Sequence, residues 1–303
     1  MKRLSVPNRK KIDELIVRYT LEPGLRDVYV EGPAEKNLLE WFFTESRLEQ
    51  IDIFDVNTIN IPESVTNNYG LRSDNNQCGN RDRIITLSLE FDKKLKNHIP
   101  YLICIADSDF DFLLGRKFHS SYLVYSEYTS TDLCFFSEQS LGKILTLLGS
   151  NPVCGIKQWV QNIKDVLQKL FLIRTANVKL AWDMTWQEFS KCCYIDNNDY
   201  VIFKDQEFIN KYLNANGRRN NIDTFISVLN ELTQIQVASY ECVIRGHDLF
   251  ELLGWYITRK KGKHGNKFRD QEVIRNSIIA SANLESIKDK DPFKSLIHIY
   301  MQP

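Results

Sequence analysis

Acidic side chains follow two apolar segments in the first half of the chain. The segment Val-Tyr-Val leads directly into Glu31, and the segment "YLICIA" leads into Asp107. Asp109 and Asp111 come next at alternate positions. A continuous apolar run of this kind is typical of a strand buried on both faces of a sheet. Both sets of acids are therefore predicted to lie at the carboxyl ends of strands.

Carboxylates that converge on one end of a parallel sheet need a cation. Asp132, at the start of the helix predicted after the fourth strand, would lie at the same end as Glu31 and Asp107. Unpaired carboxylates this close raise one another's pKa values. Mg²⁺ takes oxygen ligands, usually one or two carboxylates with waters and phosphate. Two such ions about 3.5–4 Å apart can stabilise both the attacking and the leaving oxygen when a phosphodiester bond is cleaved. The pattern predicts a site for Mg²⁺ or Mn²⁺, to which Glu35 is a weaker addition.

Each acid also has an ordinary structural interpretation. Glu31 alone could be an acid before a helix, where the helix dipole favours it. The D-x-D-x-D segment could be a solvated turn, because Asp and Ser are turn residues. Asp132 could cap its helix. Asp111 stays open between a third ligand and a turn residue.

Strand-like and helix-like segments alternate over the first 150 residues. The predicted strands are 26–32, 51–56, 101–107 and 122–128, and the predicted helices are 34–45, 80–95 and 129–149. This order indicates an α/β fold with a largely parallel sheet flanked by helices. Ligands of such sheets bind at the carboxyl ends of the strands.

The second half of the chain is predicted to be mainly helical. Apolar residues at helical spacing give helices over 156–171, 221–234, 246–260 and 270–287. We therefore expect two domains, a catalytic α/β domain over 1–150 and a helical domain over 151–303. The helical domain would serve dimerisation, partner docking or substrate binding.

Basic residues could contact nucleic acid in two places. The segment 259–269 is predicted to be a loop whose cations bind phosphates without reading sequence and whose glycines allow close approach. Arg116 and Lys117, just past the acids, could stabilise the negative charge that develops on a phosphate, with Lys117 as a catalytic residue. The alternative for both places is a solvated surface. The candidate nucleic-acid contacts are Arg116, Lys260, Lys261, Lys263 and Lys267.

Composition restricts the class of protein. Thirty-nine basic residues balance 39 acidic ones, so nucleic-acid binding must come from a local patch. A membrane span is not expected, because no run of about 18 apolar residues occurs. The seven cysteines contain no C-x-x-C pair, which favours a reducing cytoplasm. The sequence has no P-loop motif, so any ATP-dependent control would come from a partner.

The stretches "VYVEGPAEKNLLEWF" and "ICIADSDFD" resemble the Toprim domain of primases, topoisomerases and OLD-type nucleases. The resemblance covers roughly the first 140 residues. It implies that Glu31, Asp107 and Asp109 bind the metal, with a further proton-transfer role for Glu31. Phe112 follows the motif where topoisomerases have glycine, and Glu35 stands where many Toprim proteins have aspartate.

The stretches "YSEYTSTDLCFF" and "RGHDLFELLGWYI" resemble the small Toprim proteins that are paired with ABC-type ATPases in bacterial anti-phage systems, such as the AriB family of PARIS effectors. That similarity implies a nuclease that an ABC-type ATPase holds inactive until a phage protein is sensed. It also implies tRNA as the favoured substrate and a homodimer as the active form. Two alternatives stay open, which are an OLD-like DNA endonuclease and a non-catalytic regulatory subunit with a Toprim shell.

Overall fold

The four strands expected in the first half of the chain form one parallel sheet. The computed structural model describes residues 9–71, 79–237 and 239–301. Its strands are β1 (Lys10–Lys11), β2 (Asp27–Val30), β3 (Asp52–Asp55), β4 (Ile59–Asn60), β5 (Leu102–Ala106), β6 (Leu123–Tyr125), β7 (Cys193–Ile195) and β8 (Val201–Phe203). The main sheet has the order β3-β2-β5-β6, and all of its neighbouring strands are parallel. This confirms the predicted α/β architecture.

Helices alternate with the strands of this sheet along the chain, and they make up most of the second half. They are α1 (Ile12–Leu21), α2 (Pro33–Glu45), α3 (Glu63–Asn67), α4 (Asn80–Lys94), α5 (Asp111–Leu114), α6 (Glu138–Leu147), α7 (Ile156–Lys179), α8 (Asp205–Ala215), α9 (Ile222–Thr233), α10 (Gly246–Lys261), α11 (Gln271–Ser281) and α12 (Phe293–Tyr300). The mainly helical character predicted for the second half is confirmed. No helix in the described parts of the chain is long and apolar enough to cross a membrane.

The chain divides by its internal packing into two compact units. The sheet unit comprises Met1–Ser108, Lys117–Glu127 and Ile287–Pro303, and the helical unit comprises Asp109–Arg116 and Tyr128–Ser286. The boundary falls inside the D-x-D-x-D motif. The predicted domains, 1–150 and 151–303, stay a prediction, because packing units and independently folding domains are different properties.

The core of the sheet unit is built on two strands that are buried along their whole length, β2 and β5. Aromatic rings cover β2, where Phe91 of α4 contacts Tyr19 and Tyr29 at centroid distances of 5.6 and 5.9 Å. Residues from the end of the chain complete this unit, since Phe293 of α12 packs on Phe42 of α2 at 4.7 Å. Burying one such ring contributes about 1.5–3 kcal/mol, so α12 is an integral part of the unit.

The core of the helical unit is organised around α7. Its apolar stripe is buried as the periodicity predicts, and Trp159 packs against Tyr256 of α10 with centroids 4.7 Å apart.

The prediction of one helix over 129–149 was wrong. Thr131–Phe135 forms a 3₁₀ turn, and α6 starts only at Glu138. The Ser137 hydroxyl accepts a hydrogen bond from the backbone N–H of Ser140, and the Ser140 side chain bonds back to the Ser137 N–H. This reciprocal cap begins a new helix at that point.

Candidate metal centre

Strands β2 and β5 bring Glu31 and Asp107 together. The two strands pair in parallel, with Tyr29 opposite Cys104, so their carboxyl ends lie side by side. The backbone N–H of Asp107 donates a hydrogen bond of 2.8 Å to Oε1 of Glu31. Both residues are partly exposed. The predicted convergence of these two acids, 76 positions apart in the chain, is thus present in the structure.

The backbone around Asp107 is held by further hydrogen bonds. Nε of Arg81, near the start of α4, donates to the carbonyl of Asp107 at 2.8 Å. The next residue, Ser108, bonds to Ser126 twice, through its N–H at 3.3 Å and its hydroxyl at 2.6 Å. A carboxylate on a backbone fixed in this way is well placed to act as a ligand, because it loses little conformational freedom on binding.

Helix α2 begins beside Glu31. Pro33 occupies its first turn, where the missing N–H costs nothing. Glu35 is the third residue of this helix, and its Oε2 lies 3.2 Å from the position that a Cβ on Gly32 would take. A side chain at position 32 would therefore make a tight contact with the Glu35 carboxylate, which would have to shift by a few tenths of an ångström. The role predicted for Glu35 as a metal ligand stays a prediction.

The second and third aspartates of the motif belong to the helical unit. Asp109 has a positive φ of 42°, and its N–H donates to the carbonyl of Thr129 at 2.9 Å. Asp is among the few residue types enriched in this region of conformational space, which is otherwise costly outside glycine. Asp111 is buried at the start of the short helix α5. Metal binding by either residue stays a prediction.

Asp132 forms an ion pair that the sequence did not predict. Both of its oxygens accept from Nε of Arg275 on α11, at 2.9 and 3.0 Å, and Nη2 of Arg275 lies 2.7 Å from Oδ1. Both side chains are largely buried. A bidentate pair of this geometry is among the stronger polar interactions in proteins. Asp132 thus has a structural role within the helical unit, and its role as a metal ligand stays a prediction.

The two cations just past the motif, Arg116 and Lys117, are exposed. Lys117 lines a cavity of about 310 Å³ together with Asp92 and His119. This cavity is formed mainly by the residues that lead into β6, whereas Glu31 and Asp107 follow the ends of their strands. The phosphate-binding role of Arg116 and the catalytic role of Lys117 stay predictions.

The prediction that 259–269 is a loop was wrong. Residues 259–261 complete α10, and Gly262–Arg269 forms a 3₁₀ helical segment packed against it. A Cβ on Gly254 would lie 2.2 Å from the carbonyl oxygen of Phe268, and a Cβ on Gly265 would lie 2.7 Å from Cα of Thr258. These glycines permit the close packing of the segment on α10. Local periodicity did not reveal this, because the segment is polar and rich in glycine.

The four lysines of the basic segment differ in their surroundings. Nζ of Lys260 lies 2.8 Å from both oxygens of the buried Asp199, so its charge is already paired. Lys261 is partly buried, and Lys267 is exposed with its Nζ 5.1 Å from the ring of Phe268. The side chain of Lys263 lies outside the described residues. Nucleic-acid binding by these lysines stays a prediction.

The donor set at the sheet fits a hard divalent cation. Glu31 and Asp107 supply carboxylate oxygens, and Mg²⁺ needs only one or two carboxylates besides water and phosphate. Within residues 9–71, 79–237 and 239–301, no group of three or more His, Cys, Asp or Glu side chains is placed to hold a metal ion. Binding of Mg²⁺ or Mn²⁺ by Glu31 and Asp107 therefore stays a prediction.

Arg81 is the main site residue that the sequence analysis missed. In a parallel sheet, a helix that leads into a strand begins at the carboxyl end of the sheet, so the first turn of α4 belongs beside the acids. The "NRDR" at residues 80–83 carried that signal. Arg275 gave no comparable signal, because it lies 143 positions from Asp132.

Comparisons with known proteins do not supply a family for this chain. No protein-family model matches it, and no curated protein matches it significantly. The Toprim and AriB resemblance therefore stays a prediction from the motifs.

Proposed function

We propose that this chain is a metal-dependent nuclease of the Toprim type that cleaves RNA, with tRNA as the favoured substrate. It would act as the toxic effector of a bacterial anti-phage system, under the control of an ABC-type ATPase and as a homodimer when active. The Toprim, AriB and defence parts of this proposal rest on the motif resemblance.

The observation that carries the proposal is the hydrogen bond from the Asp107 N–H to Glu31. It joins two acids from distant segments at the carboxyl ends of adjacent parallel strands, where ligands of such sheets bind. An acid that serves only to begin a helix would not need a partner from the neighbouring strand end.

The residues of the site would have different roles in phosphodiester cleavage. A bound Mg²⁺ or Mn²⁺ would supply Lewis-acid stabilisation of the phosphate oxygens. Glu31 and Asp107 would hold this ion, and the bond between them fixes Glu31 relative to the Asp107 backbone. Glu31 can also accept a proton from the attacking hydroxyl group at its carboxylate. The nucleophile is a water molecule or an RNA 2′-hydroxyl.

Control by a separate ATPase agrees with the sequence, which has no P-loop motif of its own. We propose that the ATPase holds the effector inactive and that the released chain cuts.

The proposal is tested by incubating the purified chain with total tRNA and with plasmid DNA, in Mg²⁺, in Mn²⁺ and in EDTA. We expect cleavage of tRNA with either metal and none in EDTA. Glu31→Gln and Asp107→Asn should abolish it. Glu40→Gln is the matched control, because Glu40 is an exposed acid of α2 with only a 3.7 Å contact to Lys36.

Two results would contradict the proposal. Cleavage of DNA but not of tRNA would overturn the substrate class and favour an OLD-like DNA endonuclease. Normal cleavage by both Glu31→Gln and Asp107→Asn would remove these acids from the active site.

A further inference from the structure

A cavity of about 810 Å³ lies in the helical unit, and none of its lining residues is assigned above to the metal centre. Three elements line it, namely α10, the 3₁₀ turn Phe189–Cys192 with the preceding Glu188, and the segment Gly262–Arg269. Its size is within the range of pockets that bind small ligands or parts of larger ones, about 300–1,000 Å³.

One face of α10 supplies the floor of this cavity. Glu251, Trp255, Thr258 and Arg259 line it, and their spacing of four, seven and eight positions places them on one side of the helix. The Arg259 guanidinium lies 5.8 Å from the centroid of the Trp255 ring, within the range of a cation–π contact. Trp255 is partly exposed, so part of its indole is open to a ligand.

The rim of the cavity carries cations from the other two elements. Lys191 and Arg269 are both exposed lining residues, and Asn266 adds an amide beside them. Glu188 lies 2.8 Å from Lys191 and offsets part of this charge. Burial, and secondarily the charge of Asp248, raises the pKa of Glu251 to about 7, so this acid is only partly ionised at neutral pH. The three cations that line the cavity, Lys191, Arg259 and Arg269, therefore outweigh the negative charge of its two acids.

The segment Gly262–Arg269, which supplies part of the rim, is packed closely on α10. The Thr258 hydroxyl donates to the carbonyl of Gly265 at 3.1 Å, and the Gly254 and Gly265 contacts described above keep Gly262–Arg269 against α10. Asn266 and Arg269 are thus positioned before any ligand arrives, which lowers the entropic cost of binding.

We propose that this cavity binds one nucleotide of a single-stranded RNA. The base would stack on the indole of Trp255, and its edge would reach the amide of Asn266 and the carboxyl of Glu251. The phosphate would lie against Arg259, Arg269 and Lys191. An aromatic surface beside several cations is the combination that binds single strands, since every base has a face to stack and every nucleotide has a phosphate. The choice of RNA over a free nucleotide rests on the proposed function.

The test is equilibrium binding of a fluorescent single-stranded RNA oligonucleotide, measured in EDTA so that no cleavage occurs. We expect Trp255→Ala and the double variant Arg259→Ala/Arg269→Ala each to weaken binding about tenfold or more. Trp255→Phe keeps an aromatic ring and should stay within about threefold of the wild type. Arg219→Ala is the matched control, since Arg219 is an exposed arginine of the same unit outside the cavity.

The outcomes separate this proposal from the nuclease proposal. Equal RNA binding by the wild type, Trp255→Ala and the double arginine variant would overturn it, as would no RNA binding by the wild type. Binding of adenosine monophosphate but not of the oligonucleotide would show a free-nucleotide site and overturn the RNA assignment. Binding that depends on Trp255, in a protein that cleaves nothing, would support the cavity and reject only the nuclease.

Discussion

Strand β2 places an acid at each of its ends, and the two acids have opposite surroundings. Asp27, the first residue of the strand, is 1% exposed. Its Oδ2 accepts from the Tyr19 hydroxyl at 2.6 Å and lies 3.1 Å from Nη1 of Arg18. Glu31, just past the last residue, is partly exposed and accepts from the Asp107 backbone.

The difference shows how position along one strand separates a structural acid from a functional candidate. A buried acid such as Asp27 needs partners from its own fold, because a buried unpaired charge is costly. An acid at the carboxyl end of a parallel strand lies where ligands reach the sheet. Counting acids in the sequence does not distinguish the two cases, whereas their place on the strand does.

The largest effect expected is on cleavage by the Glu31→Gln variant. Loss of a metal-binding carboxylate removes several kcal/mol of transition-state stabilisation, so the rate should fall about a thousandfold or more. Initial rates of tRNA cleavage measure this, and urea unfolding should show a midpoint close to that of the wild type. A large loss of stability without a loss of specific activity would reverse the roles given to the two acids.

The second effect is on the folding of the Asp27→Ala variant. Removing one member of a buried ion pair leaves its partner uncompensated, so the free energy of unfolding should fall by about 3 kcal/mol. Urea unfolding followed by circular dichroism measures it. Asp52→Ala is the control, because Asp52 is opposite Asp27 on β3 but exposed, and it should change stability by less than about 0.5 kcal/mol. Equal losses of stability in Asp27→Ala and Asp52→Ala would contradict the structural role given to Asp27.

A smaller effect is expected from Tyr19→Phe. The Tyr19 hydroxyl bonds both to Asp27 and to the hydroxyl of Tyr29, each at 2.6 Å. Loss of a hydrogen bond to a charged group should cost about 1.5–3 kcal/mol, while the ring contact with Phe91 is kept. Chemical denaturation of the single and double variants with Asp27→Ala gives the coupling. Strict additivity would contradict a shared network.

The smallest expected effect is the contribution of Asp27 to the pH dependence of folding stability. Burial raises the pKa of Asp27 above 3.8, more than the bond from Tyr19 and the charge of Arg18 lower it. A raised folded-state pKa means that the stability contributed by protonation of Asp27 is fully present below about pH 3.8 and is lost as the pH rises through the folded-state pKa. Relative to Asp27→Asn, the wild type should therefore lose stability on going from pH 4 to pH 7. A relative gain over that range would show a lowered pKa instead.

The sequence predicted the strand ends well and the partners of side chains poorly. β2 and β5 were recognisable because a strand buried on both faces is a continuous apolar run, and parallel pairing then brought Glu31 beside Asp107. The partner of Asp132 was not predictable, because the ion pair with Arg275 depends on how α11 packs. The helical form of 262–269 was hidden for a related reason, since its order comes from close packing of Gly254 and Gly265 rather than from an apolar pattern.

The most direct test of the central claim is Mn²⁺ binding, measured by the loss of the free-ion signal in electron paramagnetic resonance. The proteins compared are the wild type, Glu31→Gln, Asp107→Asn and Asp27→Asn. We predict that the wild type and Asp27→Asn bind Mn²⁺ alike and that the other two variants bind at least about tenfold more weakly. Equal binding by all four proteins, or none by the wild type, would contradict a metal centre at Glu31 and Asp107.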